Sequence, residues 1–251
     1  MHINTQGLVL REVNYKEADK ILTVLTAEGG KRTVKARGCR RKGSRLAACA
    51  QLLVYSEMTL FEYRDYYTLN EAESLQQFWG VKADVEKLAL GSYCAQVLEA
   101  VAEEGRSDPE LLSLILNTLY ALDKLNKPQA LVKAAFDLRL MYLTGDEPML
   151  DPCADCGAHA PAQPQLSLSE GVLCCGRCRA GAGDGPFLPL EGGTLEAMRH
   201  FVYGDPKRRL SVPAAGAALA CMAEVCERFL TGQLDRGFQT LDFYKQLKAG
   251  M

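Results

Sequence analysis

The hydrophobic pattern of this chain changes period near residue 82, and that change constrains the fold more than any other feature. Before it, short runs alternate with period two or gather β-branched residues between glycine-containing breaks, the pattern of half-buried strands. Five such runs predict strands over residues 7–13, 20–26, 31–38, 52–63 and 66–72. Glu28-Gly29-Gly30 supplies a hairpin break between the second and third. In the fourth, Tyr55, Glu57, Thr59 and Phe61 alternate against Val54, Met58 and Leu60. Five short strands with no amphipathic helix between them suit a small closed barrel such as the OB fold.

After residue 82 the period becomes helical. Helices are predicted over 84–103, with Val85, Leu88, Ala89, Ala95 and Leu98 on one broad face, and over 111–125, 131–143 and 194–203. Ser107-Asp108-Pro109 places a capping residue before a first-turn proline. Lys127-Pro128 breaks one helix, and Gly145 and Pro148 end the next. A Gly/Pro/Ala-rich insertion follows. Ser211-Val212-Pro213 opens a last helix carrying Leu219, Met222, Val225, Cys226, Phe229 and Leu230. The expected class is α+β and multidomain: an OB-type barrel over residues 1–80, then an all-α domain over 81–251 with an inserted four-cysteine knuckle at about 150–182.

That insertion carries Cys153-Ala154-Asp155-Cys156 and Cys174-Cys175-Gly176-Arg177-Cys178. With Cys175 as third member, eighteen residues separate two Cys-x-x-Cys pairs, a zinc-ribbon spacing. Each tight turn aims two thiolates at one metal, and two turns complete a tetrahedral set. Cys153, Cys156, Cys175 and Cys178 are therefore the candidate ligands of a structural Zn2+, with Cys174 as the alternative third ligand and His159 a weaker substitute. Gly157 and Gly176 stand where knuckle turns use positive φ. A thioredoxin-type redox pair should follow a strand in an α/β pattern, which is missing. Cys39, Cys49, Cys94, Cys221 and Cys226 read as small buried or partly buried side chains.

The net charge of −2 conceals an asymmetry. Residues 1–46 hold eleven Lys and Arg against four acids, a local balance of +7, which leaves −9 for the remainder. Eight of these cations, Lys31, Arg32, Lys35, Arg37, Arg40, Arg41, Lys42 and Arg45, fall within fifteen residues with no acid between them. Such a patch neutralises phosphates and binds nucleic acid with little sequence preference and strong salt dependence. Gly38 and Gly43 would let backbone approach a phosphate. Tyr55, Phe61, Tyr63, Tyr66 and Tyr67 lie nearby as candidate stacking platforms, although the core is expected to claim most of them.

Catalysis finds little support. The chain has no phosphate-binding Gly-x-x-x-x-Gly-Lys-Ser/Thr loop and no Gly-x-Ser-x-Gly elbow. Its three histidines, His2, His159 and His200, have no metal-hydrolase spacing. No apolar run approaches the ~20 residues that cross a bilayer, and the N-terminus lacks a signal-peptide pattern. The expectation is a non-enzymatic cytoplasmic protein without a membrane partner. A zinc-ribbon, OB-containing RNA-binding or transcription-associated factor fits the same features.

Several segments resemble one family in order and spacing. They are Gly7-Leu8-Val9-Leu10-Arg11, then Glu17-Ala18-Asp19-Lys20 running on to Thr26, then Gly30-Lys31, and Lys35-Ala36-Arg37-Gly38-Cys39-Arg40-Arg41-Lys42-Gly43-Ser44-Arg45-Leu46. Together they look like the opening of the RecO family of recombination mediators. Leu150-Asp151-Pro152-Cys153 and Gly171-Val172-Leu173-Cys174 resemble its zinc-bearing branch. The resemblance implies a DNA-repair protein that binds single- and double-stranded DNA and anneals complementary strands. It implies work at the nucleoid with RecR, to help load RecA onto DNA coated by single-strand-binding protein, whose acidic, hydrophobic-ended tail it contacts.

Carried over, the family's DNA-contacting segment falls on Lys35, Arg37, Arg40, Arg41, Lys42 and Arg45, and the zinc ligands on Cys153, Cys156, Cys178 and one of Cys174 and Cys175. The family's second Cys-x-x-Cys would place a cysteine at position 177, where this chain has Arg177 and a Cys174-Cys175 doublet instead. For the tail-binding pocket, charge alone nominates Lys133, Arg139, Arg199, Lys207, Arg208 and Arg209.

Overall fold

The computed structural model describes residues 1–64, 66–179, 185–205, 210–211 and 216–250. It divides into two compact units, residues 1–125 with 238–251, and residues 126–237.

The first unit is built on five strands, β1 (His2–Tyr15), β2 (Asp19–Thr26), β3 (Gly30–Ala36), β4 (Tyr55–Tyr63) and β5 (Tyr66–Gln76). They close a barrel in the order β1-β2-β3-β5-β4, the OB-type arrangement. Closure depends on β1, which serves two partners. Its first half pairs with β4, from His2 opposite Phe61 to Leu8 opposite Tyr55, and its second half with β2. The register shifts between Val9 and Arg11, where the strand changes partner. β3 and β5 pair in parallel, Val34 with Tyr67 and Lys35 with Thr68. Period-two alternation sends Val9, Leu22, Val24, Val34, Met58, Leu60 and Leu69 inward to a shared core. The connection from β3 to β4 closes over that core, delivering Cys39 and Ala50 to it.

Three helices follow the barrel in this unit: α1 (Trp79–Lys82), α2 (Val85–Val101) and α3 (Pro109–Lys124). Asp84 caps α2 by accepting from the backbone N–H groups of Glu86 and Lys87 at 2.9 and 3.1 Å. Asp108 caps α3 through the N–H of Leu111, with Pro109 in the first turn as the sequence predicts. Gly91 permits α2 to approach its neighbours, since a Cβ there would lie 2.9 Å from Leu53 Cδ1 and 3.2 Å from Leu119 Cδ2. A C-terminal helix, α8 (Gln239–Ala249), was not among the predicted elements. It packs on α2 through the Thr240 hydroxyl, which donates to Gln96 Oε1 at 2.5 Å, and through a Lys248–Glu86 ion pair. Just before it, Phe238 meets Tyr93 edge to face, centroids 5.9 Å apart.

The second unit contains α4 (Gln129–Thr144), α6 (Thr194–Tyr203) and α7 (Gly216–Gln233), packed around Phe136, Leu140, Met141, Met198, Met222, Phe229 and Leu230. α4 ends at Gly145, whose φ of +88° suits a residue without Cβ. Between α4 and α6 the insertion forms β6 (Gln165–Ser167), β7 (Leu173–Cys174), the short turn α5 (Gly176–Arg179) and β8 (Phe187–Pro189), the strands ordered β7-β6-β8. Val212 and Pro213 of the predicted helix opening lie outside the described residues, and α7 begins at Gly216. Among the described residues, no helix is long and apolar enough to cross a membrane.

Candidate nucleic-acid interface and metal centre

The basic run spans the end of β3 and the loop after it, and the loop is held rather than loose. Asp19 Oδ1 accepts the Gly38 N–H at 2.8 Å, and its Oδ2 lies 3.2 Å from Lys35 Nζ. The Gly38 bond, then that to Lys35, holds the Asp19 carboxyl below its ordinary range against the opposing effect of burial. Arg40 N–H donates to the Ala18 carbonyl, and successive turns run through Arg41, Ser44, Ala47 and Ala50. With its backbone bonded and Cys39 and Ala50 buried, the loop presents Arg37, Arg40, Arg41, Lys42 and Arg45 outward, all exposed. Gly38 and Gly43 have φ of +62° and +78°, so both turns use the conformation glycine allows.

The eight cations of the run are not equivalent. Lys31 Nζ donates to the Glu99 carbonyl at 2.8 Å, near the C-terminal end of α2, where a cation is favoured. Arg32 lies on the inward side of β3, two residues before Val34. Its Nε and Nη1 are buried without a hydrogen-bond partner, and its guanidinium carbon sits 4.6 Å from the Tyr67 ring centroid. Lys31 and Arg32 therefore serve the fold, and the outward patch is formed by Lys35, Arg37, Arg40, Arg41, Lys42 and Arg45. Arg40 is tethered as well, since Nη1 donates to the Lys16 and Glu17 carbonyls at 3.4 and 3.3 Å.

The expectation that the core would take most of the nearby aromatics is corrected. Phe61, Tyr63 and Tyr66 are exposed, and only Tyr55 and Tyr67 are half-buried. The first three occupy outward positions on β4 and β5, where alternation faces them away from the core.

In the second unit, the thiols of Cys153, Cys156, Cys175 and Cys178 converge, all four sulfurs lying within 4.8 Å of one another. A tetrahedral site with metal–sulfur bonds near 2.3 Å would set sulfurs about 3.8 Å apart, and Cys156 and Cys175 stand 3.9 Å apart. The group could hold a metal ion. Each half is a turn. Gly157 N–H donates to the Cys153 carbonyl, with Gly157 at φ +70°, and Arg179 N–H donates to the Cys175 carbonyl at the start of α5. Gly176 does not adopt the expected positive φ; a Cβ there would lie 2.6 Å from Gln163 Oε1 and 3.1 Å from Gln163 Cβ, so the Gln163 side chain would have to shift.

Burial opposes charge on Cys153, yet backbone N–H groups of Cys156, Asp155 and Cys175 outweigh it and bring the thiol down to about 6. The Cys175 thiol is lowered too, first by the N–H of Cys178, whereas Cys178 is raised by sharing hydrogen bonds with Cys175 and Cys156. Cys174 stands apart: its buried sulfur points to Asp155 Oδ2 at 3.8 Å. Arg177 at the position where the family's cysteine was expected is thus accommodated by Cys175 and Cys178. His159 lies outside the sulfur group, with Nδ1 3.0 Å from Asp151 Oδ1. Of the other cysteines, Cys39, Cys49, Cys94 and Cys226 are buried and Cys221 is partly so.

Three of the cations nominated for a tail pocket are described. Lys133 is excluded, because it is buried between Asp137 and Glu227, 2.8 and 3.2 Å away. Arg199 is committed to the knuckle's entry, donating to the Leu150 and His159 carbonyls and pairing with Asp151. Arg139 stacks on Tyr142 at 4.3 Å and lines a cleft with Leu138, Tyr142, Glu147, Phe201 and Val202. Lys207, Arg208 and Arg209 lie outside the described residues.

Comparison with known proteins covers nearly the whole chain. Residues 1–78 match the family described as Recombination protein O N terminal, and residues 82–242 match Recombination protein O C terminal. The chain is similar to the DNA repair protein RecO of Alkaliphilus metalliredigens, 35% identical over 248 residues, which span 98% of this chain and 100% of that protein. It is similar to those of Acetivibrio thermocellus, 30% identical over 98% of this chain and 97% of the other, and Desulforudis audaxviator, 31% identical over 97% and 96%.

Proposed function

The chain belongs to the RecO family of DNA repair proteins, and from that premise we propose that it is a recombination mediator that anneals complementary strands. It binds single- and double-stranded DNA through Lys35, Arg37, Arg40, Arg41, Lys42 and Arg45. The observation that carries this reading is the loop after β3, whose exposed cations are held in place by Asp19 and by a buried Cys39. A fixed positive surface neutralises the phosphates of two strands at once, lowers their repulsion and leaves the bases to pair. Annealing makes and breaks no covalent bond, so no catalytic residue is required.

Working at the nucleoid, the protein acts with RecR to help load RecA onto DNA coated by single-strand-binding protein. The acidic, hydrophobic-ended tail of that coating protein would meet, at the cleft of Arg139, a guanidinium and the apolar side chains of Leu138, Phe201 and Val202, with Glu147 also in the lining. For the metal, zinc fits the closed four-thiolate set of Cys153, Cys156, Cys175 and Cys178. Bound there, zinc joins the two turns of the knuckle and has a structural role.

The test is annealing of two labelled complementary oligonucleotides without nucleotide, with and without a coat of single-strand-binding protein. Acceleration that falls as salt rises is expected. Arg37→Glu with Arg41→Glu, both free of the tethering that Arg40 shows, should slow it by about tenfold or more. Undiminished annealing by that folded variant would overturn the assignment, and a preference for RNA would favour an RNA-binding factor instead.

A further inference from the structure

We infer that the outer face of β4 and β5 is a base-stacking platform for unpaired nucleotides, with Tyr63 and Tyr66 as its principal rings. The inference rests on the DNA-binding reading above and adds which form of DNA the barrel selects.

Tyr63 and Tyr66 are directly paired across β4 and β5, so their side chains leave the sheet side by side on one face. They are 59% and 79% exposed, and Phe61, two residues earlier on the same face of β4, is 38% exposed. Single exposed aromatics are common on protein surfaces, but three on adjoining positions of one sheet face are not accounted for by the core. Their placement also has a charge pattern. Phe61 pairs with Thr68, and Thr68 pairs with Lys35, which makes a continuous outward row over β4, β5 and β3. That row ends at the first cation of the outward basic patch. On the other side, the Arg64 guanidinium lies 5.2 Å from the Tyr63 ring centroid.

This combination selects the occupant. A purely apolar partner would offer nothing to the exposed cations beyond Lys35, itself paired with Asp19, and a duplex holds its base faces inside its own stack. A single strand supplies both groups: phosphates for Lys35 and the arginines beyond it, and bare π-faces for the tyrosines. Adjacent strands stand about 4.8 Å apart, a separation over which consecutive unstacked bases can each take a ring. The basic loop then binds either form of DNA through phosphate, while the tyrosine face adds affinity for unpaired DNA alone.

The experiment compares the full chain with Tyr63→Ala/Tyr66→Ala and Tyr63→Phe/Tyr66→Phe, measuring anisotropy of a labelled oligo(dT) and of a blunt duplex of equal length. The alanine pair should weaken oligo(dT) binding by between roughly fivefold and a hundredfold, leave duplex binding unchanged and keep the same salt slope. The phenylalanine pair should behave as the parent. If the double alanine variant does not fold, Tyr66→Ala alone is read in the same way. Oligo(dT) binding retained by a folded alanine variant, or lost equally for duplex, overturns the platform while leaving the DNA reading intact; so does a phenylalanine pair as weak as the alanine pair. A parent that binds neither form overturns the DNA reading and the platform with it.

Discussion

Lys133 Nζ lies 2.8 Å from Asp137 Oδ2, one turn further along α4, and both side chains are almost fully buried. Glu227 of α7 closes the group at 3.2 Å. Burial by itself would lower the Lys133 pKa, but Asp137 and Glu227 together carry it above the ordinary value. A raised lysine contributes its stability below the ordinary value of 10.5 and loses it only as pH climbs through the raised one, so the contribution of Lys133 protonation does not change across the neutral range. Lys133→Met strands two carboxylates, one of them fully buried, and should cost about 3–5 kcal/mol in urea unfolding. Lys133→Met/Asp137→Leu/Glu227→Gln should recover most of that loss. A single variant as stable as the parent would show that the pair carries no such penalty.

The cysteine doublet gives a sharp contrast. Cys175→Ser removes one of four converging sulfurs and should abolish stoichiometric zinc, read by elemental analysis of purified protein. Cys174→Ser alters a thiol directed at Asp155 and should leave the metal in place. Chelation of the parent should lower its melting temperature. Zinc retained by Cys175→Ser and lost by Cys174→Ser would reverse the ligand assignment.

Asp19 makes the barrel end acid-sensitive. Because its folded pKa is depressed, its contribution is present above the ordinary value of 3.8 and disappears as pH falls through the lower folded value. Urea midpoints of Asp19→Asn should lie below those of the parent at neutral pH and converge with them in acid. Parallel curves through that acid range would exclude Asp19 as the titrating group.

The basic run can be dissected by salt. Each phosphate contact contributes close to one unit to the slope of log affinity against log salt. Arg37→Ala/Arg41→Ala should therefore reduce the slope by about two. Arg32→Leu should leave it unchanged and instead alter unfolding, since that guanidinium lies under Tyr67. A reduced slope for Arg32→Leu would place it in the interface after all.

Gly91→Val tests the contact of α2 with the loop before β4 and with α3. Its Cβ would crowd Leu53 and Leu119, and overpacking of this kind costs about 1–3 kcal/mol. Thermal unfolding at the parent's temperature would show that the neighbours move aside freely.

Where the sequence carried a strong period or a strict spacing, the structure follows it. The five strands and the Cys153–Cys178 knuckle are of this kind, because alternation and Cys-x-x-Cys turns each leave few geometries open. The first five residues of β1 escaped notice since His2, Asn4 and Gln6 face outward and the inward partners are few. α8 was missed although Phe238, Leu241 and Tyr244 recur at helical spacing, a signal too short to stand out without its packing on α2. The inward setting of Arg32 was readable from its offset of two and four from Val34 and Ala36, which puts it on the inward side of β3. Lys133 was equally readable: it and Asp137 are one turn apart, on the same stripe of α4 as Leu140 and Met141.

Because the strands close into a barrel, β1 joining both β2 and β4, no whole strand is left at an edge to recruit another chain. What it can offer a partner lies mainly in side chains standing off the closed ladder. Such a surface can be rewritten one residue at a time, changing what it holds and how tightly, without breaking a backbone bond of the scaffold beneath.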